Sequence, residues 1–291
     1  MSVAKEQREK LIWEFPNIGK KAPEQEEKAF AYCEGYKEFL NVAKTEREFV
    51  REAVLRLKEA GYEEFEEGKI YQPGDKVYQI NRKKALLMST FGKRPLEDGV
   101  RINVAHIDSP RLDLKPNPLY EKAEAAYFKT HYYGGIRKYQ WATIPLAMHC
   151  VVILKDGTSM DICIGEKEGD PVFCVTDLLP HLGKKQMEKR GNEVVEGEDL
   201  NILVGSIPLS GEEKEPVKRQ ILQLLKEKYN IEETDFISAE LEAVPAGNAR
   251  NYGLDESMIM GYGQDDRVCA YPSYRAMFEL DKPQYTCVCL L

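Results

Sequence analysis

A chain of 291 residues has room for one or two cores. It is 43% hydrophobic and 31% charged, an ordinary globular balance, and its net charge of −8 argues against nucleic acid as a partner, since neutralising phosphates takes a basic excess. No run approaches the roughly 18–20 apolar residues of a membrane span, and the opening MSVAKEQREKLIWEF lacks the apolar centre of a secretion signal, so a cytoplasmic location is expected.

In chain order, PEQEEKAFAYCEGYKEFLNVAK (23–44) places Phe30, Cys33, Tyr36, Phe39 and Leu40 at helical spacing. A second helix is expected over 45–62, where Thr45 and Glu48 have the spacing of a capping box and Gly61 is a stop signal. KVYQI (76–80) and KALLMST (84–90) read as strands joined by NRK. VRINVAHI (100–107) is apolar enough to be a buried parallel strand. Two strands are expected around Asp156-Gly157 within 141–166, and further ones at PVFCV (171–175), LNILVGSIPL (200–209) and DFISAELEAV (235–244). Residues 214–230 form an amphipathic helical pattern, the chain turns loop-like near Ala249, and 258–280 reads as loop then helix. YTCVCLL (285–291) is a β-type run. The ends thus mix helices and strands while the middle is rich in antiparallel-looking strands. This order predicts an α/β fold in which a mixed-sheet catalytic domain, 1–112 plus 249–291, is interrupted by an inserted β-rich domain, 113–248.

Seven cysteines (33, 150, 163, 174, 269, 287 and 289) are odd in number and form no CxxC pair. Buried, reduced thiols are expected rather than a disulfide framework or a cysteine zinc site. His149 alternates with Val151 and Ile153 and reads as a sheet-face histidine, while His131 flanks a Tyr-Gly-Gly turn.

Two short motifs bear chemistry. In His106-Ile107-Asp108 the residues two apart point to one side of an extended chain, and Pro110 halts the strand. An imidazole at a strand end, with a carboxylate to fix its tautomer, suits a zinc ligand, and ligands of open α/β sheets gather at such ends. The same pair also suits a histidine bonded to a backbone carbonyl beside an N-capping aspartate. The second motif is GYGQDDR (261–267), two adjacent carboxylates in a glycine-marked loop before helical spacing. One of them suits bridging cations; equally, both suit the first turn of a helix. Pro272 breaks a helix that starts at Asp266 but suits the first position of one that starts at Pro272, and the sequence leaves both open.

Together, AHIDSPRLDLKP, YYGGIRKYQW (132–141), PVFCVTDLLPHL (171–182) and GYGQDDRVCAY resemble, in combination and order, the aspartyl aminopeptidase family of cytoplasmic dinuclear zinc metallopeptidases. The resemblance implies a zinc-dependent aminopeptidase that removes the N-terminal residue of peptides through two zinc ions. It implies that His106 is a zinc ligand, that Asp108 orients it, that Asp265 rather than Asp266 bridges the metals, and that His181 helps hold substrate in a neighbouring subunit's site, which makes a homo-oligomer. Some members prefer acidic N-terminal residues, and Arg111, Lys115 and Arg137 are the cationic candidates for that preference. The family's strand equivalent to YTCVCLL leads into a Glu-Glu pair, general base and then ligand, followed by a further Asp and a C-terminal His. None of these follows here. The resemblance therefore implies two of five ligands, a truncated chain inactive alone, and an open sheet edge with exposed apolar surface. An alternative is a non-catalytic assembly subunit that lends a residue to a full-length partner.

Overall fold

The computed structural model describes residues 22–291; the N-terminal segment read for a secretion signal lies outside them. Helix α1 (Glu26–Val42) leads into α2 (Glu46–Glu59), and Thr45 caps α2 in the expected box: the Glu48 amide donates to its hydroxyl, and the Glu48 carboxylate accepts from the Thr45 amide. Then follow strands β1 (Glu63–Glu64), β2 (Lys76–Asn81), β3 (Ala85–Thr90), β4 (Val100–Val104), β5 (Arg111–Lys122), β6 (Ala125–Tyr133), β7 (Leu146–Ile153), β8 (Ser159–Ile164) and β9 (Cys174–Val175). A short helix α3 (Lys184–Met187), β10 (Ile202–Gly205), α4 (Pro216–Tyr229), β11 (Glu240–Pro245), β12 (Arg250–Tyr252) and β13 (Met258–Met260) lead to α5 (Gln264–Phe278) and β14 (Thr286–Leu290).

Three sheets result. The first is five-stranded and mixed, in the order β1-β2-β3-β14-β4, with β14 antiparallel to β3 and parallel to β4. The second is seven-stranded and antiparallel, in the order β8-β7-β11-β5-β6-β10-β9. The third is the β12-β13 hairpin. The β5–β6 register slips between Leu114 and Leu119, where Pro116 and Pro118 have no N–H to give the ladder. Each large sheet has its own core. Phe39, Phe49, Leu57, Met88, Tyr274 and Cys289 are buried in the first, and Leu112, Leu146, Leu200, Ile202 and Ala243 in the second.

Several expectations are corrected. VRINVAHI is a parallel strand but not a buried one: β4 is the edge of its sheet, all five residues are exposed, and it ends at Val104, before His106. Residues 233–238 form a 3-10 turn, leaving only 240–245 as strand, because Glu232 and Asp235 cap that turn reciprocally. PVFCV contributes only Cys174–Val175, and the loop near Ala249 becomes the β12-β13 hairpin. Asp265 and Asp266 leave helical dihedrals, so regular helix starts at Arg267 and Pro272 falls in its interior. That proline is tolerated on the solvent side, where it and Val268, whose carbonyl it cannot bond, are exposed. All seven cysteines are free thiols, yet Cys163 and Cys269 are exposed and only Cys289 is fully buried. Among the described residues, no helix is long and apolar enough to cross a membrane.

Candidate metal centre

Two chain reversals meet at one end of the first sheet. Beyond β4 the chain runs through His106 to Pro110 and enters the second sheet at Arg111; beyond β13 it turns through Gly263, at φ +85°, into α5. The loops are tied together. Ser109 Oγ donates to the Asp265 carbonyl at 2.9 Å, and Tyr262 donates its hydroxyl to the Pro110 carbonyl at 3.1 Å.

This brings His106 Nε2 within 3.4 Å of Asp265 Oδ1, although 159 positions separate them in sequence. Asp265 is largely open to solvent and His106 half so. The other ring nitrogen of His106 lies 3.0 Å from Asp108 Oδ1 and 3.1 Å from the Asp108 carbonyl. Tyr133 donates to the second Asp108 oxygen at 2.7 Å. Partial burial disfavours the imidazolium, but the hydrogen bonds and charge of Asp108 outweigh it and raise the His106 pKa above its ordinary value. Burial acts against the Asp108 carboxylate as well, and the bonds from Tyr133 and His106 overcome it, so its pKa is lowered. The Tyr133 hydroxyl, bound to that anion, is pushed up to about 12.

The donors suit one edge of a zinc shell. Bonds of about 2.0–2.2 Å in a tetrahedron set neighbouring ligand atoms about 3.3–3.5 Å apart, the observed spacing. Asp108 on the far nitrogen leaves Nε2 to face the metal. Asp266 turns toward Cys269 and raises that thiol's pKa, which separates it from its neighbour. Among the described residues no group of three or more His, Cys, Asp or Glu side chains gathers as a metal cluster, so these residues supply an edge and not a complete shell.

Beside Asp265 opens a pocket of about 330 Å³, lined by Ser109, Pro110, Arg137, Gln140, Trp141 and Tyr262 among others. Of the three cationic candidates, only Arg137 reaches it. Arg111 is buried among Glu46, Asp113 and Glu242, at 2.8, 2.7 and 3.3 Å, and Lys115 pairs with Glu198 at 2.9 Å. His181 stands exposed in a turn before α3 and has no hydrogen bond or ion pair to His106, Asp108 or Asp265.

Sequence reasoning missed Tyr133 and Ser109. Tyr133 sits inside a quoted motif, but its contact with Asp108 arises from the β5–β6 hairpin returning to the loop, which local spacing does not reveal. His149 also proves to be more than a sheet-face residue. It is buried on β7 with Glu48 at 2.7 Å on one nitrogen and Glu166 at 3.1 Å on the other.

The sequence profile described as aminopeptidase I zinc metalloprotease (M18) matches residues 39–289. A probable M18 family aminopeptidase 1 of Clostridium acetobutylicum is 53% identical over 287 residues, covering 97% of this chain and 62% of that protein. The crystal structure of an M18-family aminopeptidase from Thermotoga maritima superposes with a TM-score of 0.90 at 45% identity, over 96% of this chain and 61% of that one. The aminopeptidase I structure from Clostridium acetobutylicum gives 0.87 at 49% identity, over 96% and 63%. The chain thus spans about three-fifths of the length of these relatives. With most of its length matched by the profile, it belongs to the aminopeptidase I zinc metalloprotease (M18) family.

Proposed function

We propose that the chain carries one part of a zinc aminopeptidase centre that removes the N-terminal residue of peptides, with His106 and Asp265 as zinc ligands. The observation that carries this is the 3.4 Å edge between His106 Nε2 and Asp265 Oδ1, backed by Asp108 on the opposite ring nitrogen. Bound there, zinc would supply Lewis acidity toward a peptide carbonyl and an activated water. The chain's own groups do the holding. Asp108 fixes the orientation of the His106 ring, and Tyr133 fixes Asp108. Asp265, the more exposed of the paired carboxylates, takes the bridging role that the family resemblance implies.

The neighbouring pocket receives the side chain of the peptide's first residue. Arg137 at its wall favours an acidic side chain there. The two separate cores support a split catalytic domain, 1–112 with 249–291, interrupted by an inserted domain, 113–248. Exposed Leu178, Leu179 and Leu182 around His181 support a surface that packs on a second copy, in a homo-oligomer where His181 serves the neighbour's site. The same patch favours the second reading, an assembly subunit. Seven free thiols agree with a cytoplasmic setting. Two donors are fewer than the three protein ligands of a catalytic zinc; we therefore infer weak metal binding and little peptidase activity for this chain alone.

Calorimetric titration of metal-stripped chain with Zn²⁺ tests this reading. The parent should bind, and His106→Ala and Asp265→Ala should each lose about tenfold or more in affinity. No binding by the parent, or variants equal to it, would sink the assignment. With zinc present, Arg137→Ala should weaken an acidic dipeptide more than a neutral one; equal losses would remove the pocket from the proposal.

A further inference from the structure

Arg267 heads the fully buried side chains by size, with no exposed surface. Its Nη2 donates to two carbonyls, Lys44 at 2.8 Å and Ile107 at 3.3 Å. Among the described residues its Nε and Nη1 have no partner and no carboxylate pairs with it. Burial draws its pKa below that of an ordinary guanidinium. A buried cation without a counter-charge is costly, so stability alone does not account for an arginine here.

What it touches does account for it. Ile107 lies between His106 and Asp108, and Arg267 itself lies two residues after Asp265. The guanidinium thus bonds the middle of one loop from the start of the helix that carries the other. The loop also makes room for it: a Cβ at Gly263 would come within 2.2 Å of Nη1.

We propose that Arg267 is the positioning residue of the metal edge, clamping the 106–110 loop to the 262–267 loop and so setting the distance from His106 Nε2 to Asp265 Oδ1. The proposal rests on the zinc reading of that pair, but the clamp itself is measurable without metal.

The test is hydrogen exchange by mass spectrometry on the 291-residue chain, in peptides covering 105–110 and 261–266, beside a thermal melt and the zinc titration. Arg267→Met should speed exchange in both segments about tenfold or more while the core keeps its protection. Zinc affinity should fall about 10–100-fold. Arg267→Lys, which keeps one donor for the Ile107 carbonyl, should recover part of each loss. Gly263→Ala should loosen the same segments in the parent and loosen them less in Arg267→Met, where the guanidinium it strikes is gone and only the strain of alanine at φ +85° remains. Parent-like exchange at 105–110 in Arg267→Met overturns the proposal, as does acceleration spread evenly over α5 and the core, which marks a general structural role. If the parent binds no zinc, the zinc reading fails, and the exchange data still decide the clamp.

Discussion

Arg111→Ala should destabilise the chain by about 3–5 kcal/mol at pH 8, because it strands three carboxylates around a buried hole. Arg111 bonds Glu46 on α2, Asp113 beside it on β5, and Glu242 on β11. Its guanidinium also lies 4.4 Å from the centre of the Tyr133 ring, so the variant undercuts the residue that steadies Asp108. One oxygen each of Glu46 and Glu242 is buried without a partner among the described residues even with Arg111 present. Burial pushes Glu242 up to about 7, with Arg111 opposing and Glu46 and Asp113 assisting. A carboxyl raised in the folded state holds a proton that the unfolded chain releases. Its contribution is therefore fullest below the unfolded value near 4.5 and fades as pH rises toward 7. Without Arg111 the same carboxyl holds its proton more firmly, so the variant's deficit should shrink between pH 8 and pH 5.5. Urea midpoints at the two pH values measure this; a deficit that does not change with pH would show that the cluster takes up no proton.

Replacing His149 by glutamine should cost about 3 kcal/mol near pH 6, with the opposite dependence on pH. Burial opposes the imidazolium, yet the contacts of Cys163, Glu166 and Glu48 overcome it and push the group up to about 11. Burial also opposes the Glu48 and Glu166 carboxylates, and their bonds to His149, with Lys44 on Glu166, lower both pKa values. A raised histidine contributes fully below its unfolded value near 6.5 and loses that contribution as pH climbs toward 11. The lowered carboxylates contribute above their unfolded value near 4.5 and lose it in acid. The clamp is therefore strongest between about pH 4.5 and 6.5, and the gap between parent and His149→Gln should narrow from pH 6 to pH 9.5 in denaturant titrations. A gap of constant size would mean that His149 is held neutral. Because Glu48 lies on α2, and Glu166 also takes Lys44 and the Gly247 amide, the clamp joins the two sheets' layers at a second place, apart from Arg111.

The sequence disclosed what local chemistry controls. The α2 cap, the Asp156-Gly157 hairpin and the α4 pattern each depend on neighbours within a few positions, and each stands where the pattern put it. His106 with Asp108 was legible for the same reason, their bond spanning two residues. Burial of β4 was not, because an apolar strand reads alike at the centre and at the edge of a sheet. Nor were the Tyr133 bond, the Arg111 cluster or the Arg267 clamp, each of which links parts of the chain that meet only after folding. Acidic and basic residues on exposed and buried faces look the same in one dimension.

The position of β14 also sets a timetable. It lies between β3 and β4, yet all of the second sheet is synthesised before it. Until Thr286 and its successors leave the ribosome, β3 and β4 have no strand to join them. The second sheet, made of strands from Arg111 to Pro245, can close meanwhile, and its closure draws the ends of a long intervening segment together. Once made, β14 joins β3 to β4 and closes the first sheet, at whose end the loops that carry His106 and Asp265 meet.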